Sequence, residues 1–241
     1  MKISAVVPAF NEERGLAASL RSIRDGLRAF EDAGWTTELI VCDNNSTDAT
    51  AAIAREAGAQ VVFEPVNQIS RARNTGAARA TGDWLLFVDA DSHPSRALCA
   101  DVLAAITTNR YIAGGTIVGF AQADRVVSVM GAIWNLISRT MTWAAGSFIF
   151  CGAAAFREIG GFSQELYAAE EIDLSRRLKR LARQRGQRLV ILHRHPLVTS
   201  ARKARLYTPR EMTRFIARTI VRRGRTLRSP EECFSWYDGR R

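Results

Sequence analysis

Trp84-Leu85-Leu86-Phe87-Val88-Asp89-Ala90-Asp91 is the stretch on which the fold turns. Five apolar residues in a row read as a strand buried on both faces, the habit of parallel sheets. Two carboxylates one residue apart then stand at the strand's exit. Ligands of open α/β sheets bind just outside the carboxyl ends of the strands. A divalent cation carrying a diphosphate suits that position and that charge.

The neighbouring segments follow the same pattern. Val6-Val7-Pro8-Ala9-Phe10-Asn11-Glu12-Glu13 is a short strand, a turn and an acidic helix start. Asn11 is placed to cap that helix, and Glu12 and Glu13 to complement its dipole. Leu39-Ile40-Val41-Cys42-Asp43-Asn44-Asn45-Ser46-Thr47-Asp48 is a second strand running into polar residues, with Ser46 or Thr47 as the next cap. Ser70-Arg71-Ala72-Arg73-Asn74-Thr75-Gly76 is basic, and Ala169-Glu170-Glu171-Ile172-Asp173-Leu174-Ser175-Arg176-Arg177 is acidic and then basic on a helical period.

Reading outward, strands are predicted at about 3–7, 38–42, 60–63 and 84–88, with helices at 12–32, 47–57, 70–80 and 95–108. This alternation implies a parallel sheet with helices on both faces. A strand at 111–119, an apolar helix at 126–138, a strand near 147–155, a helix at 170–184 and a strand at 190–192 complete the body. Residues 1–110 form the expected nucleotide-binding half, 111–200 the acceptor half, and 201–241 a basic helical tail.

Taken in order, Pro-x-x-Asn-Glu, Asp-x-x-Ser-Thr-Asp, Ala-Arg-Asn-x-Gly, Asp-x-Asp and the Gly-Gly-Phe to Glu-x-x-Asp-Leu segment resemble the family 2 glycosyltransferases, inverting enzymes with the GT-A fold. The resemblance covers about Ile3 to Leu181. It implies an α/β, Rossmann-like, mostly parallel sheet. It also implies transfer of a sugar from a nucleotide-diphospho-sugar to an acceptor hydroxyl, with Mg²⁺ or Mn²⁺ as cofactor. Asp91 is then the direct metal ligand. Asp89 stands nearer the ribose or holds the metal indirectly, and Ala90 lines the donor between them. Asp43 accepts a hydrogen bond from the nucleotide base, or else caps the next turn. Pro8, Phe10 and Glu12 match the loop that closes over the nucleotide. Arg73, or equally Arg71, contacts the diphosphate. Glu170-Glu171 stands where the family has Glu-Asp. Glu171 is therefore the candidate base, with Glu170 and Asp173 able to share or take the role. His193 is the candidate second metal ligand, as some GT-A enzymes use a late histidine.

Other readings stay open. A nucleotidyltransferase would show a glycine-rich phosphate loop after the first strand, and here no glycine precedes Gly15. A non-catalytic sugar-nucleotide-binding protein would not need the paired aspartates. Nucleic-acid binding rests on charge alone and lacks a motif.

The net charge of +10 hides an asymmetry. Residues 1–175 hold 14 Lys/Arg and 20 Asp/Glu, whereas 176–241 hold 20 and 4. Such a block faces something anionic, here a membrane surface that would present a lipid-linked or polyprenyl-linked acceptor. Thr208-Pro209-Arg210-Glu211 reads as a helix start, with Met212, Phe215, Ile216, Ile220 and Leu227 as an apolar stripe. The uncharged segment Val126 to Ser138 is either a buried helix or an apolar surface, and Thr140 to Phe156 reads as core. No stretch reaches the roughly 20 apolar residues of a membrane span. Four scattered cysteines and a first strand that follows Met1-Lys2 directly point to a reduced, cytoplasmic protein without a signal peptide, peripheral on the inner membrane face.

Overall fold

A computed structural model describes residues 1–121 and 125–200, and beyond them 211, 214, 218–219, 222 and 224–233. The strands are β1 (Lys2–Ala9), β2 (Thr36–Asp43), β3 (Gln60–Phe63), β4 (Trp84–Val88), β5 (Ser92–His93), β6 (Tyr111–Ala121), β7 (Phe148–Gly152) and β8 (Arg188–Ser200). The helices are α1 (Leu16–Glu31), α2 (Thr50–Glu56), α3 (Ile69–Arg79), α4 (Arg96–Thr107), α5 (Arg125–Met141), α6 (Ala153–Glu158) and α7 (Glu170–Gln184).

All eight strands join one sheet in the order β3–β2–β1–β4–β7–β6–β8–β5. The first four are mutually parallel, so their carboxyl ends open on one edge. β7 is antiparallel to both β4 and β6, and β5 is antiparallel to β8. The sheet is thus parallel through the donor half and mixed beyond it. The sheet is continuous across residue 110, so both expected halves share one architecture.

Apolar residues at helical spacing dictate which faces are covered. Leu16, Leu20, Ile23, Leu27 and Phe30 of α1 enter one core layer with Leu98, Val102 and Ile106 of α4. Gly26 lets these two helices close, since a Cβ there would lie 2.7 Å from Cys99 Sγ. Ser95 caps α4 by accepting the Leu98 N–H at 3.1 Å. Leu174, Leu178 and Leu181 of α7 form the opposite layer with Phe87, Phe156 and Phe162.

Several expectations need correction. α1 starts at Leu16, so Asn11 is not its cap. β5 and α6 had no sequence counterpart. β8 runs over 13 residues where three were expected. The segment 126–138 turns one apolar side outward, and Thr140 and Met141 end that helix in solvent. Of the expected tail helix, Met212, Phe215, Ile216 and Ile220 lie outside the described residues. Leu227 does not continue a stripe. It follows Gly224 (φ 80°) in a 3₁₀ turn and packs with Ala168, Tyr167 and Cys233. Among the described residues, no helix is long and apolar enough to cross a membrane. All four cysteines are free and buried.

Candidate active site

The carboxyl ends of β1, β2 and β4 bring three loops together. The register sets Ala9 beside Asp43 and Pro8 beside Cys42. Asn11 sits at φ 50° and stitches the β1 loop to the β2 loop. Its N–H donates to Ser46 Oγ at 3.0 Å, and its Oδ1 accepts from the Thr47 N–H at 2.8 Å. The Glu12 N–H donates to Thr50 Oγ1, and the Glu13 N–H to Asp48 Oδ2. The Glu12 carbonyl accepts from Gly15 and Leu16, which opens α1. Phe10 is half-buried at the end of this strand, and Glu12 is buried. Asp43 Oδ1 accepts the Ser46 N–H at 3.0 Å, which folds the β2 turn. Asp43 Oδ2 accepts no hydrogen bond among the described residues.

Arg73 occupies the centre. Its side chain is 1% exposed, yet it carries a full charge. Nη1 donates to Glu170 Oε1 at 2.6 Å, and Nη2 donates to Asp89 Oδ1 and the Gly146 carbonyl, each at 2.9 Å. The guanidinium also lies 5.1 Å from the Phe162 ring centroid. Phe162 is wedged edge-on against Phe87 of β4, with centroids 5.0 Å apart. Asn74 fixes that wedge by donating to the Phe162 carbonyl and accepting its N–H, each at 2.9 Å. Gly161 turns there at φ 68°, and a Cβ on it would strike Asn74 Oδ1 at 2.7 Å.

The two arginines of α3 therefore part company. Two residues on a helix are about 200° apart, so Arg71 and Arg73 face different ways. Both Nη atoms of Arg73 are engaged by protein partners, and its buried Nε meets no hydrogen-bond partner among the described residues. Arg71 remains half-buried at the rim, with Nε on Gln68 Oε1 at 3.0 Å.

The acidic start of α7 is sorted in the same way. Glu170 is committed to Arg73. Asp173 Oδ2 is held by Nε and Nη2 of Arg177, both at 2.7 Å, while Arg177 Nη1 donates to the Ile159 carbonyl. Asp173 is thus paired within its own helix. Glu171 is left, half-buried, over Gly146. Burial, then the neighbouring Glu170 carboxylate, push its carboxyl up to about 8. A Cβ on Gly146 would sit 3.2 Å from Arg73 Nη2 and 3.6 Å from Glu171 Cδ. The approach to Arg73 would be tight, whereas that to Glu171 would be an ordinary contact. Ala169 just before α7 adopts φ 61°, a left-handed conformation that costs an alanine roughly 1–2 kcal/mol.

His193 is also corrected. The strand position that reaches the aspartate turn is Ser200, whose N–H donates to the Asp91 carbonyl at 3.3 Å. β8 pairs Leu192 with Thr116 and Ser200 with Ala121, so His193 stands on the order of 13 Å back along the sheet. It is exposed in the irregularity opposite Thr116 to Val118.

A family model, Glycosyl transferase family 2, matches residues 4–159. The chain belongs to glycosyl transferase family 2. An uncharacterized glycosyltransferase of Mycobacterium tuberculosis is 40% identical over 89 residues, which is 37% of this chain and 36% of that protein. The chain spans only a little over a third of the curated relatives it matches. Staphylococcus aureus TarS (residues 1–349), crystallised with UDP-GlcNAc, superposes with a TM-score of 0.65 at 22% identity, over 83% of this chain and 58% of that one. The mannosyltransferase PcManGT of Pyrobaculum calidifontis, solved with GDP-Man and Mn²⁺, gives 0.65 at 19% identity, over 88% and 59%. These likenesses identify the fold as GT-A.

Within this family 2 chain, two positions escaped the sequence reading. Gln68 is 1% exposed. Its N–H donates to Asn44 Oδ1, and its Nε2 donates to the Gln164 and Leu166 carbonyls, tying the loop before α7 to the donor half. Gly146 lies in an apolar run that reads as core. Neither carries a local signal, because the partners that matter, Asn44, Gln164 and Leu166 for Gln68 and Arg73 for Gly146, lie far away in sequence.

Proposed function

We propose that this chain transfers a sugar, with inversion, from a nucleotide-diphospho-sugar to an acceptor hydroxyl. One observation carries the reading. A single buried guanidinium binds Asp89 at the donor edge and Glu170 at the start of α7, leaving Glu171 beside it with a carboxyl poised near neutrality. A general base works best with a pKa close to the operating pH. Glu171 takes the acceptor proton as the hydroxyl attacks the anomeric carbon and the nucleoside diphosphate departs. Asp43 Oδ2 receives the base N–H, and Arg71 at the rim meets the diphosphate.

The residues fit a hard divalent cation. Asp89 spends one oxygen on Arg73, and Asp91 is half-buried at the mouth of β4. No three His, Cys, Asp or Glu side chains converge among the described residues. That suits an ion held by one or two carboxylates plus substrate phosphates, as Mg²⁺ commonly is. Asp91, with Asp89 behind it, would hold Mg²⁺ or Mn²⁺, which would supply charge neutralisation for the leaving diphosphate. The acceptor is a hydroxyl presented at a membrane, lipid-linked or polyprenyl-linked. The basic last quarter, with 20 Lys/Arg against 4 Asp/Glu, supports that placement at an inner membrane face.

A thermal-shift survey across nucleotide sugars, with and without Mn²⁺, tests the donor assignment, because a ligand of the native state raises apparent stability. Stabilisation by one nucleotide sugar in the presence of metal, followed by release of its nucleoside diphosphate, is expected. No shift with any uridine or guanosine diphosphate sugar would overturn it.

A further inference from the structure

Helix α5 carries an apolar stripe on its outward side as well as apolar residues toward the core. An ordinary amphipathic helix turns its apolar stripe to the core. On α5 six large apolar side chains face outward instead: Val129 59%, Met130 50%, Ile133 55%, Leu136 64%, Ile137 38% and Met141 48% exposed. Their spacing lays them along one side of the helix. The inward side carries Val127, which is buried, and Trp134, half-buried against the core, together with small and polar residues. Gly131 faces the Phe120 ring, which a Cβ would approach to 2.9 Å. Asn135 brackets Val118, accepting its N–H and donating to its carbonyl, each at 2.9 Å. Ser138 Oγ donates to the Trp143 carbonyl at 2.6 Å. The helix is thus held by these contacts, and among the described residues its outward apolar side chains stay exposed.

The surroundings say what covers it. No Asp or Glu occurs from 125 to 141, or from 174 to 184. Arg139 is exposed at the end of α5. Lys179 of α7 donates to the Met141 carbonyl, and the Arg176 guanidinium lies 5.0 Å from the Trp143 ring. Arg176, Lys179 or Arg180, and Arg183 recur at helical spacing, and the three arginines are exposed. An apolar strip edged by cations without a carboxylate suits an anionic lipid surface better than a protein groove. At 17 residues α5 is roughly 25 Å long, and no described helix can span a bilayer.

We propose that α5 lies flat in an anionic bilayer surface, its outward face among the acyl chains and the α7 cations at the headgroups. It deepens the reading of a membrane-presented acceptor and rests on that part of it alone. The loop after α5 contains Gly146, five residues beyond Met141, so the seated helix would set the Glu171 side of the site against the lipid.

The test uses the full chain and vesicles of equimolar phosphatidylglycerol and phosphatidylcholine, against phosphatidylcholine alone. Sedimentation with the anionic vesicles is expected. Leu136→Asp and Ile133→Asp should each weaken it by more than about tenfold, since each removes a buried aliphatic side chain and adds a charge. Both sites are exposed, so thermal unfolding should be unchanged. Binding equal to that of the parent would assign attachment to the tail and overturn the proposal. So would equal sedimentation with both vesicle types, or a dimer in equilibrium sedimentation that Leu136→Asp splits. Metal-dependent nucleotide-sugar binding is measured separately without vesicles, so failure of either reading is seen independently.

Discussion

Arg73 and Glu170 form a buried ion pair at 2.6 Å, with side chains only 1% and 6% exposed, across 97 residues of sequence. Breaking a buried pair strands the surviving charge, at about 3–5 kcal/mol. Arg73→Ala should therefore lower stability by that order in urea unfolding. Arg73→Lys keeps a charge, but a single ammonium cannot reproduce a fork that reaches Glu170, Asp89 and the Gly146 carbonyl. It should fold and lose transfer on the order of 10²-fold through misplacement of the site. Parent-like turnover in Arg73→Lys would show that the bridge is structural only.

The elevated Glu171 carboxyl gives a signed pH dependence. A general base must be ionised, so transfer should rise with pH through about 8. Glu170→Gln removes the neighbouring like charge and should move that limb to lower pH. Glu171→Gln should abolish transfer and spare donor binding. Stability should run the other way. The folded carboxyl lies above its ordinary 4.5, so its contribution is full below that value and is lost as pH rises towards 8. A rate profile flat from pH 5 to 9, or an active Glu171→Gln, would remove Glu171 from the role.

Metal removal tests the aspartate turn. Excess EDTA should abolish stabilisation by a nucleotide sugar, and added Mn²⁺ should restore it. Asp91→Ala should be refractory to Mn²⁺ yet unfold near the parent temperature, as its side chain lies at the rim rather than in either core layer. Full nucleotide-sugar binding in EDTA would leave Asp89 and Asp91 without a cation between them.

The fold was legible where burial is periodic. β3 and β4 match their predicted spans residue for residue, because short apolar runs bounded by polar residues say where a strand stops, whether it is buried like β4 or a half-buried edge like β3. β5 has two residues and no period to detect. β8 was read short because His193-Arg194-His195-Pro196 interrupts its alternation at the irregularity opposite Thr116. That β7 runs antiparallel is a fact about pairing, which side-chain pattern does not encode. The site divides similarly. Carboxylates at strand exits announce themselves. The choice between Arg71 and Arg73, and among Glu170, Glu171 and Asp173, depends on which partner lies across space. Helical spacing separates Arg71 from Arg73 in direction but does not say which one faces Glu170.

Gly146 offers the sharpest test of the arrangement. Its carbonyl accepts from Arg73 Nη2, and its empty Cβ position lies 3.2 Å from that nitrogen and 3.6 Å from Glu171 Cδ. The backbone there is not left-handed, so alanine is not strained by conformation. Gly146→Ala therefore asks only that the guanidinium shift by a few tenths of an ångström, since its contact with Glu171 Cδ is an ordinary one. Overpacking of this kind commonly costs about 1–3 kcal/mol in a tight core. At a half-buried loop it should fall at or below the lower end, visible as a small drop in the urea midpoint. Transfer should fall further than stability, by about tenfold or more, with donor binding retained, because the displaced pair is the one that aligns the base. Gly115→Ala is the control: its Cβ would meet Ala144 Cβ at 2.7 Å and the Phe148 carbonyl at 3.0 Å, so it should destabilise strongly. If Gly146→Ala turns over like the parent, the placement of the Arg73 guanidinium against this loop does not govern transfer.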